Sequence, residues 1–341
     1  MWSMLESSKR RQFIKGAIGA SAIGLAGCTG LTNGTTRITM GGSTSGSATY
    51  GACSALQKVV NENSDSVKIT VQSTSGSGPA NFHQFDSGNV DGGGFDNYAA
   101  AQAKQGTGDF AGNQVESLPY QGFFYLIAHL YIVATEGSNI QTTADLAGKN
   151  VWLNPPGTSV RPPTDSVLKN AGLWDKINRY QMGRDSLPGA MEEGKIDAIV
   201  VYGVNYNVLA GWEREIDSRF KLHGVKATDN FVNAIKKSSG TQFERVAPYG
   251  WKQDMGVDNV ATWNVANQFR WGPGVDKSAV QEIAKIALNK SSKMHDVSPI
   301  FPVFDKAEDM TKAVIKDQIV HSGMVAFWKE KGVWNDAWKS P

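Results

Sequence analysis

After residue 36 the chain alternates short β-prone runs with amphipathic helical stretches, an order that leaves few folds open. Arg37 to Met40 is β-prone, a Gly/Ser/Thr loop follows, and the stretch Tyr50 to Asn61 has apolar positions at Leu56, Val59 and Val60 before a second β-prone run, Val67 to Val71. This is a βαβ unit, which implies a parallel sheet with a right-handed crossover. The device recurs. Ser73 to Gly78 leads into a helix around Pro79 to Ser87 and a Gly-rich strand at Gly92 to Phe95, while the strand Lys149 to Leu153 is followed by the loop Pro155 to Ser159 and a helix starting near Pro162. Phe123 to Thr135 is a long apolar run suited to passing between two lobes, Gly194 to Val201 reads as a further strand, and Val275 to Asn289 and Ala307 to Lys331 read as helical.

The N-terminal stretch carries a different signal. Lys9-Arg10-Arg11-Gln12-Phe13-Ile14-Lys15 precedes an apolar run from Gly16 to Leu25, the layout of a twin-arginine export signal. That run is too short for a bilayer core of about 30 Å, which needs roughly 20 apolar residues. Leu25-Ala26-Gly27-Cys28 resembles a lipoprotein processing site, so residues 1–28 are expected to be a twin-arginine lipoprotein signal with Cys28 lipidated, and residues 29–36 a flexible tether. The expected location is the outer face of the cytoplasmic membrane or the periplasm, with the lipid anchor as the only membrane contact.

Composition narrows the partners. Lys plus Arg number 34 against 32 Asp plus Glu, a net charge of +2, and no basic run follows the leader, so a nucleic-acid backbone is not an expected partner. Of two cysteines, lipidation of Cys28 leaves Cys53 unpaired and the core without a disulfide framework. The five histidines lie far apart and without Cys neighbours, so neither a metal site nor a cofactor is expected.

Three polar loops sit between a strand and a helix: Gly41 to Ser47, Ser73 to Gly78, and Pro155 to Arg161. There the first helical N–H groups lack intrahelical partners and the helix dipole adds partial positive charge, so an anionic group binds without a lysine. In an open α/β sheet the ligand crevice lies at these carboxyl ends of the strands. Ser and Thr also cap helices routinely, but three such loops favour a binding cleft. Catalytic patterns fit less well. Gly41 and Gly46 are followed by Ser47 instead of Lys, which excludes a nucleotide P-loop, and Thr44 stands where a G-x-S-x-G nucleophile is required. Ser166-x-x-Lys169 matches S-x-x-K, a pattern common by chance.

Read in order, the segments resemble the TAXI family of substrate-binding proteins, which serve tripartite ATP-independent periplasmic (TRAP) transporters. The similar stretches are Ile38 to Tyr50, Thr74 to Ser77 with Asn81, Ser87 to Gly93, Leu130 to Val133, Ala144 to Val151, Pro155 to Ser159, Ala190 to Ala198, His321 to Gly323 and Phe327 to Val333. The resemblance implies the two-lobed type II periplasmic-binding-protein fold, an α/β fold in which each lobe is a mostly parallel sheet flanked by helices. Lobe 1 is expected at 37–123 plus 250–341 and lobe 2 at 124–249.

The same resemblance implies a non-enzymatic extracytoplasmic receptor that delivers a small polar organic solute, an amino acid or carboxylate with glutamate-like compounds included, to the integral membrane subunit of a TRAP transporter. Ser43, Thr44, Ser45, Gly46 and Tyr50 are expected to line lobe 1 with Ser75, Gly76 and Ser77, and Thr158, Ser159 and Arg161 to meet the ligand from lobe 2. Asp96 and Asn97 stand where the family has a neutral polar group. A carboxylate there disfavours a dianion and favours a cationic group. A secreted enzyme on the same fold, or a receptor for an ATP-driven transporter or membrane sensor, are the alternatives, since fold does not fix function.

Overall fold

The computed structural model describes residues 34–341 except Thr44, Gly46 and Gly157; the expected signal with Cys28 and most of the tether lie outside the described residues. Residues 35–341 form one compact unit. Its first part is a run of βαβ units: β1 (Thr36–Gly41), α1 (Ala48–Asn63), β2 (Val67–Gln72), α2 (Pro79–Asp86), β3 (Gly92–Asp96) and α3 (Asn97–Gln105). A long strand, β4 (Tyr120–Thr135), leads to β5 (Asn150–Trp152), α4 (Arg161–Asn170), β6 (Asn178–Tyr180), α5 (Leu187–Glu192) and β7 (Ala198–Val204). After β8 (Val208–Leu209), α6 (Gly211–Arg219), β9 (Leu222–Gly224), α7 (Asp229–Lys237) and β10 (Gln242–Val246), a second long strand, β11 (Val260–Trp271), returns. The chain closes with α8 (Lys277–Asn289), α9 (Ser291–Val297) and α10 (Ser322–Glu330).

The principal strand order is β2-β1-β3-β11-β4-β7-β5-β6. β1 pairs in parallel with β2 and β3, and β5 in parallel with β6 and β7, whereas β11 and β4 run antiparallel to each other and to the halves they join. Two parallel halves bridged by two long strands make the two-lobed α/β architecture expected from the sequence. β4 is buried along nearly its whole length because it lies between β11 and β7, which is why its sequence is a continuous apolar run and not an alternating one. The β11–β4 ladder shifts register at Asn267/Gln268 and again before Arg270, irregularities that bend a strand locally.

Each half has its own core. α1 turns Ala52, Cys53, Leu56, Val59 and Val60 inward at helical spacing, and burying Leu56 and the two valines contributes about 2 kcal/mol each. These pack with β1, β2 and the returning α8, α9 and α10. The second half carries one apolar cluster under α4 and α7 and another under α5 and α6. Cys53 is free and fully buried, and burial pushes its thiol up to about 12, so it packs as a small apolar group.

Two expectations change, and one strand is added to them. The expected helix from Ala307 to Lys331 is a short 3-10 turn at Ala307–Thr311, irregular chain to His321, and then α10. The strand expected from Gly194 starts at Ala198, because Gly194 takes a left-handed φ of 67° in the turn after α5. β11, which the apolar pattern does not single out, is the partner of both β3 and β4.

The Gly-rich strand β3 is explained by its neighbours. A Cβ on Gly92 would strike the Arg270 carbonyl, one on Gly93 would lie 2.9 Å from the Gly41 nitrogen, and one on Gly94 would lie 2.7 Å from the Tyr125 hydroxyl. The strand is squeezed between β1 and β11 closely enough that only glycine fits.

Candidate functional site

Four helices begin around one cavity of about 620 Å³. The first-half loops supply Ser43, Ser47 and Thr49, then Ser75 to Ala80, then Asp96, Tyr98 and Gln102; the loop after β5 supplies Thr158, Ser159 and Pro162 from the second half. Asp109, in a short 3-10 turn after α3, completes the rim.

The helix starts differ in a way that matters for chemistry. Ser47 caps α1 by accepting the Tyr50 N–H at 3.1 Å, and Asp96 caps α3 by accepting the Ala99 N–H at 2.6 Å. α2 follows Gly78 and α4 follows Val160, neither with a side-chain cap. At α2, Pro79 has no N–H and the Asn81 N–H donates to the Gly78 carbonyl at 3.1 Å, which leaves the Ala80 N–H without an intrahelical partner; α4 offers no such donor, since the Arg161 N–H donates to the Thr158 carbonyl at 3.1 Å and Pro162 and Pro163 carry none.

The loops are held by buried polar side chains behind them. Asn81 is fully buried; its Nδ2 donates to the carbonyls of Gly41 at 3.1 Å and Gly94 at 2.8 Å, and its Oδ1 accepts from the Thr74 hydroxyl at 2.5 Å. Ser43 takes a left-handed φ of 69°. It is held there because its N–H donates to the Thr74 hydroxyl and its carbonyl accepts the Thr74 N–H, both at 3.0 Å. A serine in this conformation is strained, and strain of this kind persists where the surroundings over-determine it.

Asp96 is the most unusual group in the cavity. It is 4% exposed, and burial raises its carboxyl to about 6, against opposing pulls from the Ala99 N–H and the Arg270 charge. Arg270 on β11 is 1% exposed, and burial lowers its guanidinium to about 9. It donates to Gln318 Oε1 at 2.6 Å and to Asn97 Oδ1 at 2.8 Å.

Residues 40–332 match the sequence profile of the NMT1-like family. The chain belongs to the NMT1-like family. Among solved structures, it is similar to the alkanesulfonate-binding protein SsuA from Xanthomonas axonopodis pv. citri bound to MOPS, with 15% identity over 79% of this chain and 81% of that one, at a TM-score of 0.37. A TctC solute binding protein from Polaromonas is 12% identical over 79% of this chain and 88% of that one, at a TM-score of 0.47. The substrate binding protein of an amino acid ABC transporter is 15% identical over 78% and 98%, at a TM-score of 0.38. Likenesses of this strength leave the ligand to be argued from the residues of this NMT1-like chain itself.

Of the residues expected at the site, Ser43, Ser75, Gly76, Ser77, Asp96, Thr158 and Ser159 line the one cavity. Thr44 and Gly46 lie outside the described residues. Ser45 is exposed on its turn, and Tyr50 lies half-buried beside Gly42, away from the lining.

Two expected contacts face elsewhere. Arg161, 5% exposed, donates through Nε to Asp165 at 2.5 Å and through Nη1 to the Asn154 carbonyl at 2.9 Å. It thereby fastens the base of the loop that presents Thr158 and Ser159, and its donors are turned from the cavity. Asn97 is buried in the opposite direction, donating to the Ala313 carbonyl and accepting from Gln268 and Arg270.

Sequence reasoning missed Tyr98, Gln102 and Asp109. The first two follow from helical spacing, since a helix capped by Asp96 turns positions 98 and 102 to one side and 97 to the other. Asp109 had no signal, because its place depends on a turn outside any periodic element.

Proposed function

We propose that this chain is an exported solute-binding receptor that captures a small polar organic solute and hands it to the integral membrane subunit of a TRAP-type transporter. The observation that carries this reading is the cavity itself: hydroxyls and helix starts from the loops of one half face Thr158, Ser159 and Pro162 of the other across about 620 Å³. Such a space fits a small solute. It is lined by donors and acceptors instead of a nucleophile beside a base. The ordered TAXI resemblance supports the TRAP partner, and the leader supports export with Cys28 lipidated.

In this reading lobe 1 (37–123 plus 250–341) and lobe 2 (124–249) turn about β4 and β11. Ligand touches both lobes only when they are closed, so binding shifts the population toward the closed form that the transporter recognises. Thr158 and Ser159 are the second-lobe contacts, and Arg161 acts by holding their loop.

The test is to purify the protein without residues 1–28, denature it, identify the released compound by mass spectrometry, and titrate that compound back by calorimetry. Reversible binding of the unchanged compound is expected. Recovery of a chemically altered product would replace the receptor with an enzyme on the same fold.

A further inference from the structure

Among the described residues the cavity lining contains two carboxylates, Asp96 and Asp109, and no lysine, arginine or histidine. Asp109 is exposed at the rim; Asp96 is buried. One oxygen of Asp96 serves the helix cap. The Tyr98 backbone N–H also pulls on the carboxyl, but among the described residues no side-chain donor reaches the other oxygen, Oδ2. It lies beside Gly78, where an added Cβ would come within 3.1 Å of it.

Capping alone does not explain an aspartate here. Ser47 caps α1 and Thr228 caps α7 with neutral hydroxyls, and a neutral cap spares the desolvation of a charge. Nor is the charge neutralised from within. The Arg270 guanidinium is turned to Asn97 and Gln318, Arg161 is paired with Asp165, and Lys104 with Asp317. A buried ionised carboxylate without a counter-ion is strongly unfavourable unless a partner arrives. The open cavity is where a partner can arrive.

We infer that the cavity selects solutes carrying a protonated amino group, with Asp96 as its ion-pair partner and Asp109 adding a negative field at the mouth. An ammonium has three donors to satisfy, and the wall beside Asp96 offers the Ser77 hydroxyl, the Gln102 amide and the Tyr98 ring. The ring of a tyrosine also attracts a cation. This inference rests on the receptor reading for the cavity and adds the class of solute.

The test uses the protein lacking residues 1–28, stripped of bound solute by unfolding and refolding, with putrescine, L-lysine, L-glutamate and the amine-free glutarate as probes. At least one amine is expected to raise the melting temperature and to give a calorimetric Kd, with glutarate silent. Asp96→Asn keeps an oxygen for the cap and should weaken the amine by about 30-fold or more, the usual consequence of neutralising one member of a desolvated charge pair.

A variant-free measurement guards against misfolding. Amine affinity of the unaltered protein should fall about tenfold per pH unit once Asp96 protonates below about 6. The ionisable groups around Asp96 are Arg270 on β11, Tyr98 on α3, Tyr125 on β4 and Asp109. Arg270, lowered only to about 9, and Tyr98 and Tyr125, both raised, keep one charge state in that range. Glutarate binding as tightly as the amines, no response to any amine, or amine binding unchanged both in Asp96→Asn and between pH 7 and pH 5 would overturn the inference. In each of these cases the receptor reading stands or falls separately, on whether the compound released from the protein rebinds unchanged.

Discussion

Asp96 and Arg270 lie on adjacent strands, each almost wholly buried, each shifted by burial and partly pulled back by the other's charge, yet they form no ion pair. Asn97 stands between them in function: it follows Asp96 in the chain, and its Oδ1 takes an Arg270 donor. The carboxylate is thus left facing the cavity while the guanidinium is held on the other face of β3 and β11.

The stability of the protein should record this arrangement. Asp96 has a folded pKa near 6 against about 3.9 unfolded, so between these values the folded state keeps a proton that the unfolded state releases. Its contribution is therefore lost as pH rises through that window, by about 3 kcal/mol in all. Asp96→Asn should match the parent near pH 4 and become the more stable of the two by pH 7.5, read by urea unfolding at each pH. A difference that does not change with pH would contradict the buried, unpaired carboxylate.

Removing the distant charge should move the carboxyl further. Arg270 pulls Asp96 toward its ionised form, so Arg270→Met should shift the midpoint of pH-dependent amine binding to higher pH. The swap removes the donor of the buried Gln318 Oε1 and costs about 1 to 3 kcal/mol, so the midpoint and not the affinity is the readout. A midpoint unchanged by the substitution would mean that the two groups do not sense each other.

Asn81 should act as the tie behind the loops. Asn81→Ala leaves the Gly41 and Gly94 carbonyls without their side-chain donor and the Thr74 hydroxyl without its acceptor, a loss of about 3 kcal/mol. Thermal unfolding should show the drop, and ligand affinity should fall although Asn81 is not part of the cavity lining.

Gly94→Ala should destabilise by about 1 to 3 kcal/mol, since the new methyl meets Thr49 Cγ2 and the Tyr125 hydroxyl. Thr49→Ser removes that Cγ2 and preserves the hydroxyl that Tyr125 bonds at 2.9 Å. The double substitution should therefore be less unstable than the two single effects added, as chemical denaturation of all four proteins would reveal.

Arg161→Met separates loop support from ligand contact. Loss of the bonds to Asp165 and Asn154 should lower stability by about 2 kcal/mol and weaken every bound probe by a similar factor. A selective loss of carboxylate-bearing probes would instead restore Arg161 to the cavity.

What the sequence revealed follows the range of the forces involved. The βαβ order, the three loops and the apolar β4 are local patterns, and each appears in the fold. β11 was hidden because Asn264, Asn267, Gln268 and Arg270 interrupt its apolar run, yet all twelve positions are buried. Gln268 Nε2 and the two Arg270 Nη atoms find their acceptors in Asn97, Gln318 and the Ala313 carbonyl, partners remote in sequence. Arg161 misled for the same reason: a cation beside a polar loop suggests a ligand, and only the fold shows Asp165 and the Asn154 carbonyl already in its reach.

The three glycines of β3 separate what keeps this protein folded from what decides its ligand. Larger residues at 92, 93 or 94 collide with backbone or Tyr125 before they gain any view of the solute, so that strand offers no route by which a lineage drifts toward a new compound. Innovation is confined to the three loops and to Asp96 at the strand's end. A library randomised at Ser75, Ser77, Thr158 and Ser159 with β3 held constant should stay largely folded while its preferences diverge.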